Sequence, residues 1–212
     1  MGFDTSAAHC AAALLSGDRI LAEAHEDMAK GQAERLIPLI EDTLAAGGAC
    51  PGDLTAIGVG IGPGNFTGIR ISVSAARGLA LALGIPAVGV SRLDALALDA
   101  PRPTLACIDA RRDSVYLQRF GDEADRGPAW VPLAEVMEWA MPDLTVTGHK
   151  DAEIAEWLGV RHTPPAASPA PAIARLAARR HQAPGLPRPA PLYIRPADAA
   201  PSRERGPVIL PA

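Results

Sequence analysis

From Thr55 to Ile61 the chain reads TAIGVGI, a β-branched apolar run of the kind that forms a strand buried on both faces. Gly62, Gly64 and Gly68 follow directly and supply backbone freedom that a Cβ denies. Thr67 is placed to N-cap a helix that is apolar almost throughout from Ile69 to Leu83, with Gly84 as its C-terminal glycine and Pro86 preventing continuation. Upstream, residues 1–25 pattern as a hairpin. Phe3 to Ser6 opens it, His9 to Leu15 crosses back, Ser16-Gly17-Asp18 turns, and Arg19 to Ala24 returns. Only Met1 and Gly2 precede Phe3, so either the opening strand is clipped or the assigned start is late.

A helix is predicted from Gly31 to Ala46, where Leu36, Ile40 and Leu44 recur at four-residue spacing and Ile37 widens the stripe. Pro38 must lie near its first turn or kink it. Ala87 to Val90 is a short strand, and Ser91 caps a helix to Leu98. Ala100-Pro101-Arg102-Pro103 then reads as a linker between lobes covering 1–101 and 102–196. Beyond it, Leu105 to Asp109 is a buried strand and Ser114 to Phe120 alternates like an exposed edge strand. Residues 121–131 read as a polar loop, Pro132 to Met141 as a helix, Leu144 to Thr147 as a strand and Lys150 to Leu158 as a helix. Ser168-Pro169 opens a helix to His181, the segment after it is extended, and 197–212 is expected to be disordered. Phe3-Asp4 and Ile108-Asp109 each open a strand–turn–strand unit, an internal echo that predicts a duplicated fold.

Composition narrows the setting. The 212 residues are 48% hydrophobic but only 4% aromatic, so the cores should be close-packed and rich in small side chains. Cys10, Cys50 and Cys107 are odd in number and lack CxxC spacing, which points to a reducing cytoplasm. No signal peptide and no apolar run of about 18 residues is evident, so no membrane partner is expected. Residues 1–160 carry 12 Lys and Arg against 22 Asp and Glu, whereas 161–212 carry 8 Arg against 2 acidic residues. A basic end of that kind can contact RNA phosphates, although arginines spaced among prolines are also what a solvated segment shows.

Candidate chemistry is sparse. The run Gly62-Pro63-Gly64-Asn65-Phe66-Thr67-Gly68 aims amides and a helix dipole as a phosphate cradle would. Pro63 removes one amide, however, Thr67 stands where a third glycine would belong, and no Gly-Lys-Ser/Thr follows. A tight turn packing its helix closely on the strand explains the same glycines. The turns after Asp4 (Thr5, Ser6) and after Asp109 hold no glycine, so Asp4 reads as a structural turn cap. The five histidines include no pair at metal-binding spacing, and no H-E-x-x-H or G-x-S-x-G is present.

GPGNFTGIRISVSAARGLALALGIPAVGVSRLDALA closely resembles the signature of the TsaB (YeaZ) family. Phe3-Asp4-Thr5-Ser6, Glu34-Arg35-Leu36-Ile37-Pro38-Leu39-Ile40, Ile108-Asp109-Ala110-Arg111-Arg112 and Pro191-Leu192-Tyr193-Ile194-Arg195 add matches in family order. Gln32 and Asn65 depart from the usual histidine and serine. The resemblance implies a two-lobed actin-like (ASKHA, ribonuclease H-like) α/β fold with mixed sheets flanked by helices. It further implies a non-catalytic partner of the TsaD enzyme in forming the threonylcarbamoyl group on N6 of adenosine beside the anticodon of tRNAs that read codons beginning with adenine. TsaD carries the active site, and TsaE, an ATPase, joins the assembly. ATP and metal therefore belong to partner subunits, none is expected on this chain alone, and tRNA is met through the complex. Carried over position by position, the docking residues are Glu34, Arg35, Leu36, Ile37 and Ile40 on one helix and Arg70, Ser74 and Arg77 on the next. Asp4, Thr5, Ser6 and Asp109 are the degenerate nucleotide-site positions. The same patch would serve a homodimer when TsaD is absent. The alternative is a small actin-like ATPase or kinase that binds nucleotide between its lobes, and a third reading is an RNA-binding module.

Overall fold

A computed structural model describes residues 1–121 and 125–194; the tail expected to be disordered, Arg195 and part of the 121–131 loop lie outside them. The first sheet comprises β1 (Gly2–Asp4), β2 (His9–Ser16), β3 (Arg19–Asp27), β4 (Ile57–Gly60) and β5 (Ala87–Val90), in the spatial order β3-β2-β1-β4-β5. β1 pairs antiparallel with β2 (Phe3 opposite Ala12) and parallel with β4 (Phe3 opposite Val59), so the hairpin expected at the start becomes a three-stranded meander grafted onto a parallel core.

Between these strands lie α1 (Gln32–Ala46), α2 (Phe66–Leu83) and, after β5, the short α3 (Arg92–Leu96). α1 turns Leu36, Leu39, Ile40 and Leu44 onto the sheet, and Pro38 sits inside it on the exposed side. α2 ends at Gly84 in a left-handed conformation (φ 67°), as its glycine predicts.

The second sheet repeats the first. β6 (Thr104–Asp109), β7 (Ser114–Phe120), β8 (Arg126–Pro132), β9 (Thr145–Gly148) and β10 (Arg161–His162) take the order β10-β9-β6-β7-β8, which is the same path strand for strand. β7 is consequently an interior strand and not an edge, because β8 pairs along its outer side. β8 itself falls in the stretch read as a polar loop; only Val131 of its seven residues is buried, so its apolar period was too thin to register. The helix expected after Pro132 is a 3₁₀ segment over Leu133–Trp139 that buries Val136 and Trp139. α4 (Asp151–Leu158) covers β9, and α5 (Pro169–Arg180) follows β10.

α5 packs back onto β1, β2 and β4 of the first sheet, and α3 reaches across to β6 of the second. Small residues allow that approach. A Cβ on Gly2 would lie 2.5 Å from the Ala174 backbone nitrogen, and one on Gly58 would lie 2.7 Å from the Ala177 Cβ. Ala11 and Ala13 meet Ala170 on this face, while Cys10, Ala12 and Leu14 point into the core shared with α1 and α2. The alanine-rich, aromatic-poor composition is thus the packing requirement of a helix lying tight against a sheet.

Candidate functional site

The glycine turn faces the loop that joins β1 to β2. A Cβ on Gly64 would sit 2.1 Å from the Ser6 carbonyl oxygen, and one on Gly68 would sit 1.9 Å from that of Thr5. Two hydrogen bonds lock the approach: the Asn65 amide donates to the Ser6 carbonyl (2.6 Å), and the Thr5 hydroxyl donates to the Gly68 carbonyl (2.7 Å). The α2 N-cap is Asn65, not Thr67; its side chain accepts from the Gly68 amide at 2.9 Å. Asparagine ranks above threonine at that position, and Thr67 falls inside the first turn. Arg92 closes the front of the loop by donating to the Pro63 carbonyl at 3.1 Å. Thr5 and Ser6 are fully buried, Phe66 and Thr67 are exposed, and Gly62 takes a positive φ of 96°. Of the amides a phosphate would meet, those of Asn65 and Gly68 are already bonded within the chain.

Beneath the turn lies a buried polar knot. Asp4 is fully buried; its carboxylate accepts from the Ser6 amide (3.2 Å) and hydroxyl (2.9 Å), and the His9 Nε2 lies 2.8 Å away. A Cβ on Gly60 would fall 2.0 Å from the Asp4 Oδ1, so this carboxylate also explains that glycine. His9, one of five histidines without a partner at metal-binding spacing, is 7% exposed and belongs to the knot. Its signal was available: it is the first residue of the strand returning against Asp4. Burial pushes the Asp4 carboxyl towards its neutral form, but the His9 hydrogen bond, the Arg92 and His9 charges and the Ser6 hydroxyl outweigh it and hold the pKa below the ordinary value.

A carboxyl lowered in the folded state stabilises the fold fully above its unfolded pKa of about 4, and that contribution is lost as pH falls through the folded value. Melting temperatures followed across pH 3 to 7 should therefore drop steeply at the acid end. Asp4→Asn should flatten that drop while lowering stability at neutral pH, and an acid limb of unchanged slope would contradict the assignment.

Asp109 occupies the matching place in the second lobe and keeps the same turn cap, but at the surface. It is exposed, its Oδ1 accepts from the Arg111 amide at 2.9 Å as a turn cap, and the His149 Nε2 is 3.9 Å off. Burial raises the thiols of Cys10 (to about 11) and Cys107, so neither is a ready nucleophile. Among the described residues, no group of three His, Cys, Asp or Glu side chains is placed to hold a metal ion.

The remaining predicted positions lie on α1 and α2. Leu36 and Ile40 are 1% and 4% exposed and belong to the core, so they cannot offer side chains to a partner without unfolding. Ile37 stands outside at 39% exposure, with Glu34 also exposed. Arg35 is tied by two short hydrogen bonds to Glu26 and by an ion pair to Asp42. Arg70, Ser74 and Arg77 are all exposed on α2. Of the eighteen α2 residues only Gly68, Ile69, Ser72, Val73 and Ala76 are buried, and Leu81 is 86% exposed. Contrary to the sequence expectation, α2 reaches the length and mean hydropathy (1.2) of a possible membrane crossing by composition alone. Its buried residues and its place beside β4 make it instead one layer of the first lobe.

Two facing lobes of one duplicated topology, with strand-end aspartates and inward-crossing last helices, make this an actin-like (ASKHA) protein. A family model described as TsaD: tRNA N6-adenosine threonylcarbamoyltransferase matches residues 23–188. The TsaB protein of Escherichia coli (strain K12), described as a tRNA threonylcarbamoyladenosine biosynthesis protein, is 34% identical over 136 residues, covering 61% of this chain and 57% of that protein. The structure of YeaZ from Pseudomonas aeruginosa superposes with a TM-score of 0.65 at 32% identity, over 84% of this chain and 89% of that one. A second Pseudomonas aeruginosa structure, described as similar to peptidase YeaZ, gives 0.69 at 30% identity over 91% and 97%. The chain spans a little over half the length of the curated relatives it matches. It belongs to the TsaB (YeaZ) family.

Proposed function

We propose that this chain is a non-catalytic subunit in tRNA threonylcarbamoyladenosine biosynthesis, docking onto the TsaD enzyme through α1 and α2 and holding it in its competent shape, with TsaE joining the assembly. The observation that carries the reading is α2, an eighteen-residue apolar helix with five buried residues. A helix of that composition normally buries more of its surface, and here Phe66, Leu81 and Ala82 stay exposed among Thr67, Arg70, Ser74 and Arg77, a mixed apolar and basic face of the kind another chain covers. The closed glycine turn supports the non-catalytic half of the reading, since Thr5, Ser6 and Arg92 occupy the approach that a nucleotide phosphate would need.

The test is an assay of threonylcarbamoyl transfer to tRNA, with TsaD and its accessory proteins, in the presence and absence of this chain. The expected result is transfer that depends on this chain, with none from the chain alone, and calorimetry on the isolated chain giving no heat with ATP and magnesium. Micromolar ATP affinity or turnover by the isolated chain would overturn the reading in favour of a small actin-like ATPase.

A further inference from the structure

The last described residues run back from α5 across the first lobe and end on the first turn of α2. The Leu192 amide donates to the Ile61 carbonyl at 2.8 Å, and Ile194 packs against the cluster of Leu93, Ala97, Ala106 and Ile108 between the lobes. Between them Tyr193 stacks on Phe66 (ring centroids 5.3 Å apart, planes at 28°). On Phe66 lies the Arg70 guanidinium, its Cζ 3.7 Å from the ring centroid, and its Nε donates to the Tyr193 hydroxyl at 3.0 Å. Both aromatic rings remain 48% exposed.

We infer that Phe66, Arg70 and Tyr193 form a preassembled anchor for a carboxylate on an apolar surface of the docking partner, so that the C-terminal strap is part of the interface. The inference rests on the docking reading above. α2 carries two arginines and no acidic residue, and neither Arg70 nor Arg77 has a carboxylate partner among the described residues. The two stand two helical turns apart, about 10 Å along one face. Exposed cations that lack a carboxylate partner, on a face that also exposes Phe66 and Leu81, call for anions on whatever covers them. Holding Nε on a phenol and the guanidinium plane on a ring fixes the side chain before contact, while its two terminal amino groups keep their donors for a bidentate carboxylate. Tyrosine and arginine beside an exposed ring are also the residue types that carry most binding energy at interfaces. Under this arrangement Tyr193 is a positioning residue for Arg70, and truncation before Tyr193 weakens docking whether or not RNA is present.

The experiment measures the dissociation constant between the full chain and the TsaD subunit encoded in the same genome, at two salt concentrations, for Arg70→Gln, Tyr193→Phe and Ile37→Asp. Arg70→Gln should weaken binding at least tenfold and reduce its salt dependence. Tyr193→Phe keeps the ring stack and loses only the hydroxyl, so it should weaken binding about threefold with an unchanged melting temperature. Binding like the unaltered chain in both variants, while Ile37→Asp fails to bind, would overturn the anchor and leave the docking reading standing. Unchanged binding in all three would overturn the docking reading itself. A loss confined to self-association of this chain would assign the anchor to a second copy and overturn the inference.

Discussion

Gly68→Ala should unfold the first lobe at temperatures where Gly78→Ala is more stable than the parent. The two glycines lie on the same helix and differ only in what stands opposite. A methyl at Gly68 would be 1.9 Å from the Thr5 carbonyl oxygen and 3.0 Å from its carbon, both backbone atoms of a loop already fixed by Asn65 and Asp4. Relief requires the β1–β2 loop to move, which breaks the Thr5–Gly68 hydrogen bond and opens the Asp4 knot. A forced shift of that size costs about 3 kcal/mol or more. At Gly78 nothing lies within 4 Å, and alanine gains about 0.5–1 kcal/mol through helix propensity and a less flexible unfolded chain. Urea unfolding of the two variants measures both signs. Equal stability would show that the turn is slack and that its glycines serve something other than close packing.

Ile37→Asp should abolish binding to TsaD with little loss of stability, whereas Ile40→Asp should prevent folding. At 39% exposure Ile37 contributes little to its own core. The aspartate gains only like-charge neighbours at Glu34 and Glu41, together worth below about 1 kcal/mol. Placed under a partner helix, the same carboxylate is stripped of water without a counter-charge. That costs about 3 kcal/mol or more, a hundredfold or greater loss of affinity. Ile40 is packed with Leu36, Leu39 and Leu44. A charge there costs about 4 kcal/mol or more, a large fraction of a domain's total stability. Co-purification with TsaD, read beside circular dichroism melts, separates the two effects. A folded Ile37→Asp variant that still co-purifies would remove α1 from the interface.

The strands and helices whose period is strong were legible in the sequence: the TAIGVGI run, the four-residue stripe of α1 and the Gly84 stop all stand where the pattern puts them. A stripe does not reveal its own edge, however. Leu36, Ile37 and Ile40 read alike as apolar, and only the tilt of α1 on the sheet decides that two are core and one is surface. β8 and β10 escaped because an outer strand with one buried residue, or a strand of two exposed residues, has no apolar period to detect. The Asp4–His9 contact and the Arg92 latch join residues whose meeting depends on the turn between strands and on the path after β5. Tyr193 carries no periodic signal of its own, and its stacking on Phe66 joins residues separated by most of the described chain. The duplication was visible as a faint echo of two aspartates; the matching order of ten strands makes it plain.

The most direct test is amide hydrogen exchange of this chain with and without TsaD. Added TsaD should slow exchange across α1 and α2, including the half of α2 that the chain leaves open, and leave the edge strands of the second lobe unchanged. Protection confined to the second lobe or to the cleft between the lobes, with α2 exchanging as before, would contradict the account.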